Sequence, residues 1–215
     1  MLCALMAFAG WHFVLSAPNF DQMRAVFVAR WGDSATVRFQ SWRDFLGSVG
    51  GGTDMDKLRK VNEFFNRNVR FVDDLANWGQ NDYWATPLET LGKGQGDCED
   101  YVIAKYFSLG LVGVPVDKLR LVYVQARTGT STGAGSQAHM VLAYYPEPDD
   151  EPYVLDNLIG DVRLASRRPD LTPVFSFNAK GIFSGAGSQV IAPAVGAGRL
   201  SRWEDLLKRV AAEGF

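Results

Sequence analysis

The apolar pattern of this chain changes period once, and that change restricts the fold more than any other feature. Early hydrophobic residues recur at three- and four-residue steps: Phe20, Met23, Phe27 and Trp31; Phe39, Trp42, Leu46 and Val49; Leu58, Val61 and Phe65. Such stripes predict three helices with one buried face each. Gly50-Gly51-Gly52 divides the second from the third, which Thr53 or Asp54 caps. Thr86-Pro87-Leu88-Glu89 has the form of a capping box with proline at the first helical position, so a short helix starts there. Tyr101 to Leu111 continues as an apolar-rich helix, stopped by Gly113 and Pro115. Beyond it the period falls to two. Leu119 to Ala126, Ala138 to Tyr145, Pro152 to Asp156 and Val174 to Phe177 read as strands. The turn Pro146-Glu147-Pro148-Asp149-Asp150 joins the second to the third. Ser201-Arg202-Trp203-Glu204 is a second capping box and predicts a terminal helix opening there. Helices followed by an antiparallel sheet make an α+β layout, with the 101–111 helix packed on the strands.

With 215 residues, net charge −2 and 47% hydrophobic residues, the chain suits one domain with a sizeable core. Its charge gives no reason to expect nucleic acid or anionic lipid as a partner. Residues 2–17, LCALMAFAGWHFVLSA, are mostly apolar, and no charged residue precedes Asp21. They are short for a membrane span. We expect residues 1–17 to be a signal peptide or anchor remnant, leaving 18–215 as a single exported domain. The plainer reading is an N-terminal helix packed on the core. Thr128 to Ser136, rich in Gly, Ser and Thr, is expected to add nothing to the core and to be mobile, and the Gly/Ala-rich residues 181–198 are expected to be poorly ordered.

The chemistry concentrates at Gly94-Gln95-Gly96-Asp97-Cys98-Glu99-Asp100-Tyr101. Here a glycine loop runs into a cysteine at a helix start, with Asp97 a good N-cap residue. Backbone N–H groups there favour a thiolate. Asp97, Glu99 and Asp100 oppose it with three negative charges, which a bound cation would cancel. Cys3 lies in the apolar N-terminal segment, so Cys98 is a lone thiol. Nucleophilic cysteine chemistry needs a base and a group that orients the base. Of the two histidines, His12 falls in the N-terminal segment, which leaves His139. Asp156 lies across the predicted hairpin from it, placed to accept from one imidazole nitrogen and leave the other for Cys98. Taken singly, a cysteine after glycines or a strand histidine is usually a structural group. The order Cys98, His139, Asp156 is what favours a triad.

Dense blocks of the chain resemble the bacterial transglutaminase-like cysteine proteases of the periplasmic, adhesin-processing LapG type. The matching strings are FVDD at 71–74, DYWATPLETLG at 82–92, GDCEDY at 96–101, AKYFSL at 104–109, LRLVYV at 119–124, QAHMVLAYYP at 137–146, VLDNL at 154–158 and RPDLTPVFSFN at 168–178. The resemblance implies a transglutaminase-like, papain-like fold with Cys98 as nucleophile, His139 as base and Asp156 as its orienter. It implies a calcium ion at the acids around the cysteine, with Asp97 and Glu99 the surer ligands and Asp100 beside them. Trp84 is the side-chain candidate for the oxyanion hole, next to the Cys98 backbone N–H; its other reading is packing under the glycine loop. The implied substrate is a large surface adhesin, cut near its N-terminus at paired alanines so that a biofilm is released. The implied inhibitory partner is the periplasmic domain of a membrane receptor for cyclic-di-GMP. Two rival readings share these residues: a transglutaminase or amidase on the same fold, and a non-catalytic calcium-binding module that recognises a receptor.

Overall fold

A computed structural model describes residues 18–128, 135–179, 181–187 and 197–215. The expected signal or anchor at 1–17, with His12, lies outside the described residues, as do 129–134 in the Gly/Ser/Thr stretch and 188–196.

The three early stripes form α1 (Phe20–Trp31), α2 (Thr36–Val49) and α3 (Asp54–Asn68). Thr53 caps α3 in a complete capping box with Asp56. The stripe residues Phe27, Phe39, Trp42, Leu58 and Phe65 are fully buried in one core. Truncating any of them to alanine would cost about 2–5 kcal/mol. After α3 come β1 (Arg70–Phe71), the short α4 (Asp74–Trp78) and α5 (Pro87–Lys93). α5 has the predicted Thr86–Glu89 capping box and ends at Gly94, whose φ of 65° is open to glycine. β2 (Gln95–Gly96) then pairs parallel with β1, and α6 (Cys98–Leu111) follows directly. This short parallel pair fixes where α6 begins. It also leaves room for only glycine at two positions. A Cβ on Gly92 would lie 2.3 Å from the Trp31 ring, and one on Gly96 would lie 2.6 Å from Asp100.

The sheet comprises β3 (Leu119–Thr128), β4 (Gly135–Tyr144), β5 (Tyr153–Leu155), β6 (Arg163–Leu164), β7 (Leu171–Asn178) and β8 (Gly181–Ser184), in the order 6-5-4-3-7-8. All its pairings are antiparallel, which completes the α+β architecture. Met140, Leu142 and Tyr144 of β4 join the main core with α6, while Val141 and Ala143 face a second, smaller cluster with Val122, Val124 and Val154. α7 (Ala197–Glu213) packs Trp203, Leu206 and Val210 onto the main core. Among the described residues no helix is long and apolar enough to cross a membrane.

Three expectations need correction. α7 begins at Ala197, so Ser201 lies inside the helix and not at its cap. β8 occupies residues 181–184, the start of a stretch expected to be poorly ordered, and buries Ile182 and Phe183. β3 and β4 also extend into the Gly/Ser/Thr stretch, because ten paired residues on each strand support one another beyond what local composition suggests.

Candidate active site

β5 pairs with β4 only over Leu142, Ala143 and Tyr144. The remainder of β4, Gly135 to Val141, therefore pairs on one side only among the described residues, with β3. Two groups line this open edge, each associated with a different face of the sheet. Cys98, at the first position of α6, packs against the main core. His139 alternates with Val141 and Ala143 and belongs to the other face. Both line one cleft of about 340 Å³ with Phe71, Asp73, Asp97, Glu99, Gln137, Ala138 and Leu158. Phe71 and Leu158 remain 50% and 57% exposed, so the cleft has two accessible apolar lips.

His139 Nε2 lies 2.8 Å from Asp156 Oδ1, both side chains being buried. That bond leaves Nδ1 as the second ring nitrogen. Asp156, one residue past the end of β5, also accepts from the Leu158 backbone N–H at 3.0 Å and from Arg168 Nη2 at 2.7 Å. Burial alone would raise its carboxyl. The contacts to His139, the Leu158 N–H and Arg168 outweigh burial and hold it at about 2. Asp156 is thus a fixed anion behind the imidazole, with Arg168 itself steadied by Asp170 at 2.8 Å.

The thiol of Cys98 donates to Glu99 Oε2 at 2.7 Å. Burial raises its pKa first, and the neighbouring Glu99 and Asp97 carboxylates raise it further, with the Met140 backbone N–H acting the other way. The acids anticipated to oppose a thiolate thus lie against the thiol. Asp97 occupies the N-cap position of α6 but makes no capping hydrogen bond. Its carboxylate instead joins Asp74 and Asp100, one oxygen of each lying within 4.8 Å of the others.

This group has the donor chemistry of a hard-cation site. Asp74 Oδ1, Asp97 Oδ1 and Asp100 Oδ2 are buried and accept no hydrogen bond. Burial first, and then repulsion from neighbouring carboxylates, Glu99 among them in each case, push Asp74 to about 6 and Asp97 to about 10, and hold Asp100 well above the ordinary carboxylate range. The Tyr83 and Ala85 backbone N–H groups donate to Asp74 Oδ2 at 2.6 Å and Asp100 Oδ1 at 2.8 Å, which aims the free oxygens inward. Asp97 and Asp100 thus fall together, and Glu99 stands outside the trio with its carboxylate turned to the thiol. Asp74 was read only as part of a loop. The FVDD string contained it, but nothing in the string said that β1 and β2 would carry it to Asp97.

Trp84 is the clear departure among the expected site residues. Its indole N–H donates to Asp82 Oδ1 at 3.1 Å, its ring stacks on Phe177 at 5.7 Å, and it does not line the Cys98 cleft. Residues 82–86 are held between the acid group and α7. The indole is buried against Phe177.

Residues 49–169 match the family model described as bacterial transglutaminase-like cysteine proteinase, BTLCP. No curated protein matches the chain. Among solved structures, LapG of Legionella pneumophila is 36% identical, with a TM-score of 0.72 over 90% of this chain and 99% of that one. An EGTA-treated form of the same protein, also 36% identical, gives 0.74 over 90% of this chain and 100% of that one. Its calcium-bound form, at the same 36% identity, gives 0.70 over 89% and 98%.

Proposed function

The chain belongs to the bacterial transglutaminase-like cysteine proteinases, and on that premise we propose that it is a calcium-dependent endopeptidase using Cys98, His139 and Asp156. The observation that carries this reading is the open edge of β4, where Cys98 and a His139 bonded to Asp156 face one cleft. Cys98 Sγ attacks the scissile carbonyl carbon as its proton passes to His139 Nδ1. The imidazolium, stabilised by the Asp156 anion, returns that proton to the departing amine as the C–N bond breaks. Water then gives a proton to His139 and attacks the thioester. The C–S bond breaks, the acid product leaves, and the thiol recovers its proton. The Cys98 backbone N–H, exposed at the start of α6, is the donor for the oxyanion.

Asp74, Asp97 and Asp100 are the residues that would hold the ion, and three inward-facing acceptors without a donor fit it. Bound calcium would supply positive charge that offsets the acids around Cys98 and ties the start of α6 to α4. The Legionella relative has a calcium-bound form, and calcium is carried to this chain on the strength of that trio.

The substrate we propose is the N-terminal region of a large surface adhesin, cut at a paired-alanine site in the periplasm so that the adhesin and its biofilm are released. The inhibitory partner would be the periplasmic domain of a cyclic-di-GMP receptor. The test incubates the purified protein with an adhesin N-terminal fragment carrying two adjacent alanines. Two fragments are expected with calcium and none with Cys98→Ala or excess EGTA. Cleavage that survives either change refutes the mechanism, and a new isopeptide bond by mass spectrometry would replace hydrolysis with acyl transfer.

A further inference from the structure

Lys105 lies on α6 about two helical turns beyond Cys98. It is fully buried, and among the described residues no carboxylate pairs with it. Its Nζ donates to Asn62 Oδ1 at 2.7 Å and to Asn66 Oδ1 at 2.8 Å, both on α3. Burial lowers its pKa to about 7, with the charge of Asp156 pulling the other way. Ammonium and amine can both donate two hydrogen bonds, so the contacts persist in either form. A methionine would fill the same space at no desolvation cost, so the amine needs a reason to be there.

The amides supply one. An amide that accepts at its oxygen must donate from its nitrogen. Asn66 Nδ2 donates to the Asp156 carbonyl at 2.8 Å, and Asn62 Nδ2 donates to the Gly160 carbonyl at 2.8 Å. Lys105 thereby sets the polarity of both amides, and both then grip the segment 156–160. That segment begins with the residue behind His139 and contains Leu158, whose N–H bonds Asp156 Oδ1 and whose side chain forms one lip of the cleft.

We propose that Lys105 is a positioning residue which, through Asn66 and Asn62, locks the Asp156–Gly160 segment to the cysteine helix and so sets the reach between His139 and Cys98. The proposal rests on the triad reading above. Nucleophile and base come from different faces of the sheet, and a shift of about 1 Å between them is enough to lower turnover by about a hundredfold.

The test uses the full chain with calcium and a peptide substrate, with turnover expressed per alkylatable Cys98. Lys105→Met should keep its folded circular dichroism spectrum and lower kcat about 10- to 100-fold, with KM within about twofold. Asn66→Ala should act in the same direction. The double variant should fall no further than about threefold below the worse single one, because both break one relay. A merely structural role would lower thermal stability and leave kcat per active site unchanged. If Lys105→Met does not fold, the half-buried Asn66 carries the test alone. Parental kcat in the folded variants, or losses that multiply in the double variant, overturns the relay while an inactive Cys98→Ala leaves the triad standing. An active Cys98→Ala removes the triad, and the relay with it.

Discussion

Arg168→Met is the change that most directly tests how the base is held. Arg168 and Asp156 meet at 2.7 Å with side chains 3% and 0% exposed, so neither charge has water to fall back on. The fall of the Asp156 carboxyl from 3.8 to about 2 corresponds to roughly 2–3 kcal/mol of stability. A depressed value in the folded state means that this stability is present above pH ~4 and lost as pH falls through about 2. Methionine removes one source of the depression and leaves a buried carboxylate with fewer partners. Deleting one member of a buried pair costs about 3–5 kcal/mol. For a domain of this size that lowers Tm by roughly 6–20 °C at about 2–4 °C per kcal/mol. Differential scanning calorimetry at pH 7 and an acid-unfolding titration provide the readings, and the acid midpoint should move to higher pH. Asp170→Asn is the control. Asp170 also contacts Arg168 but is 39% exposed, and its loss should cost no more than about 1 kcal/mol. The double variant Arg168→Met/Asp156→Asn should recover part of the lost stability, because it removes the stranded charge. A Tm within about 2 °C of the parent for Arg168→Met, or an unmoved acid midpoint, would refute the account of Asp156 as an anion fixed from behind.

Asp74→Asn should weaken calcium binding at least about 10- to 100-fold by isothermal titration calorimetry, since it removes one of three charged acceptors; unchanged affinity would exclude Asp74 from the site. Without calcium, the protein should lose thermal stability as pH rises from about 4 toward 10. The raised values of Asp74 (about 6) and Asp97 (about 10) mean that the folded state holds protons the unfolded chain has already released. Saturating calcium should flatten that slope, and a metal-free protein that gains stability over the same range would contradict it. Gly92→Ala should cost about 1–3 kcal/mol in chemical denaturation, because its Cβ would sit 2.3–2.5 Å from Trp31 ring atoms; a neutral result would mean that the ring has room to move.

Local rules carried the reading of α1 to α3 and α5 but not the start of α7, where Ser201 lies inside the helix. The stripes of α1 to α3, the cap at Thr53 and the capping box at Thr86 depend on residues three or four apart, and they formed as expected. The His139–Asp156 bond spans 17 residues but crosses a short hairpin, so alternation and a turn signal sufficed to anticipate it. Asp74 reaches Asp97 through the parallel β1–β2 pair, and parallel pairing leaves no short-range signal. Arg168 reaches Asp156 through the turn that leads into β7, and nothing in RPDL marks its arginine as facing inward. The two uses open to Trp84 are not separable from the sequence, because its stacking on Phe177 is set by the fold.

The segment 82–86 is gripped from two sides. Its Tyr83 and Ala85 N–H groups turn to Asp74 and Asp100, while α7 holds it through Arg209 to the Trp84 carbonyl at 2.7 Å and through Glu213 to the Thr86 hydroxyl at 2.8 Å. Those α7 contacts come from 125 and 127 residues downstream. The acid trio and the terminal helix therefore share one strap. Whatever loosens α7 slackens the backbone that aims the acids, and whatever unsettles the acids is felt by α7. Two tryptophans bracket Phe177 along this route, Trp84 stacked on it and Trp203 edge-on to it, so the molecule carries its own optical gauge of how tightly the strap is drawn.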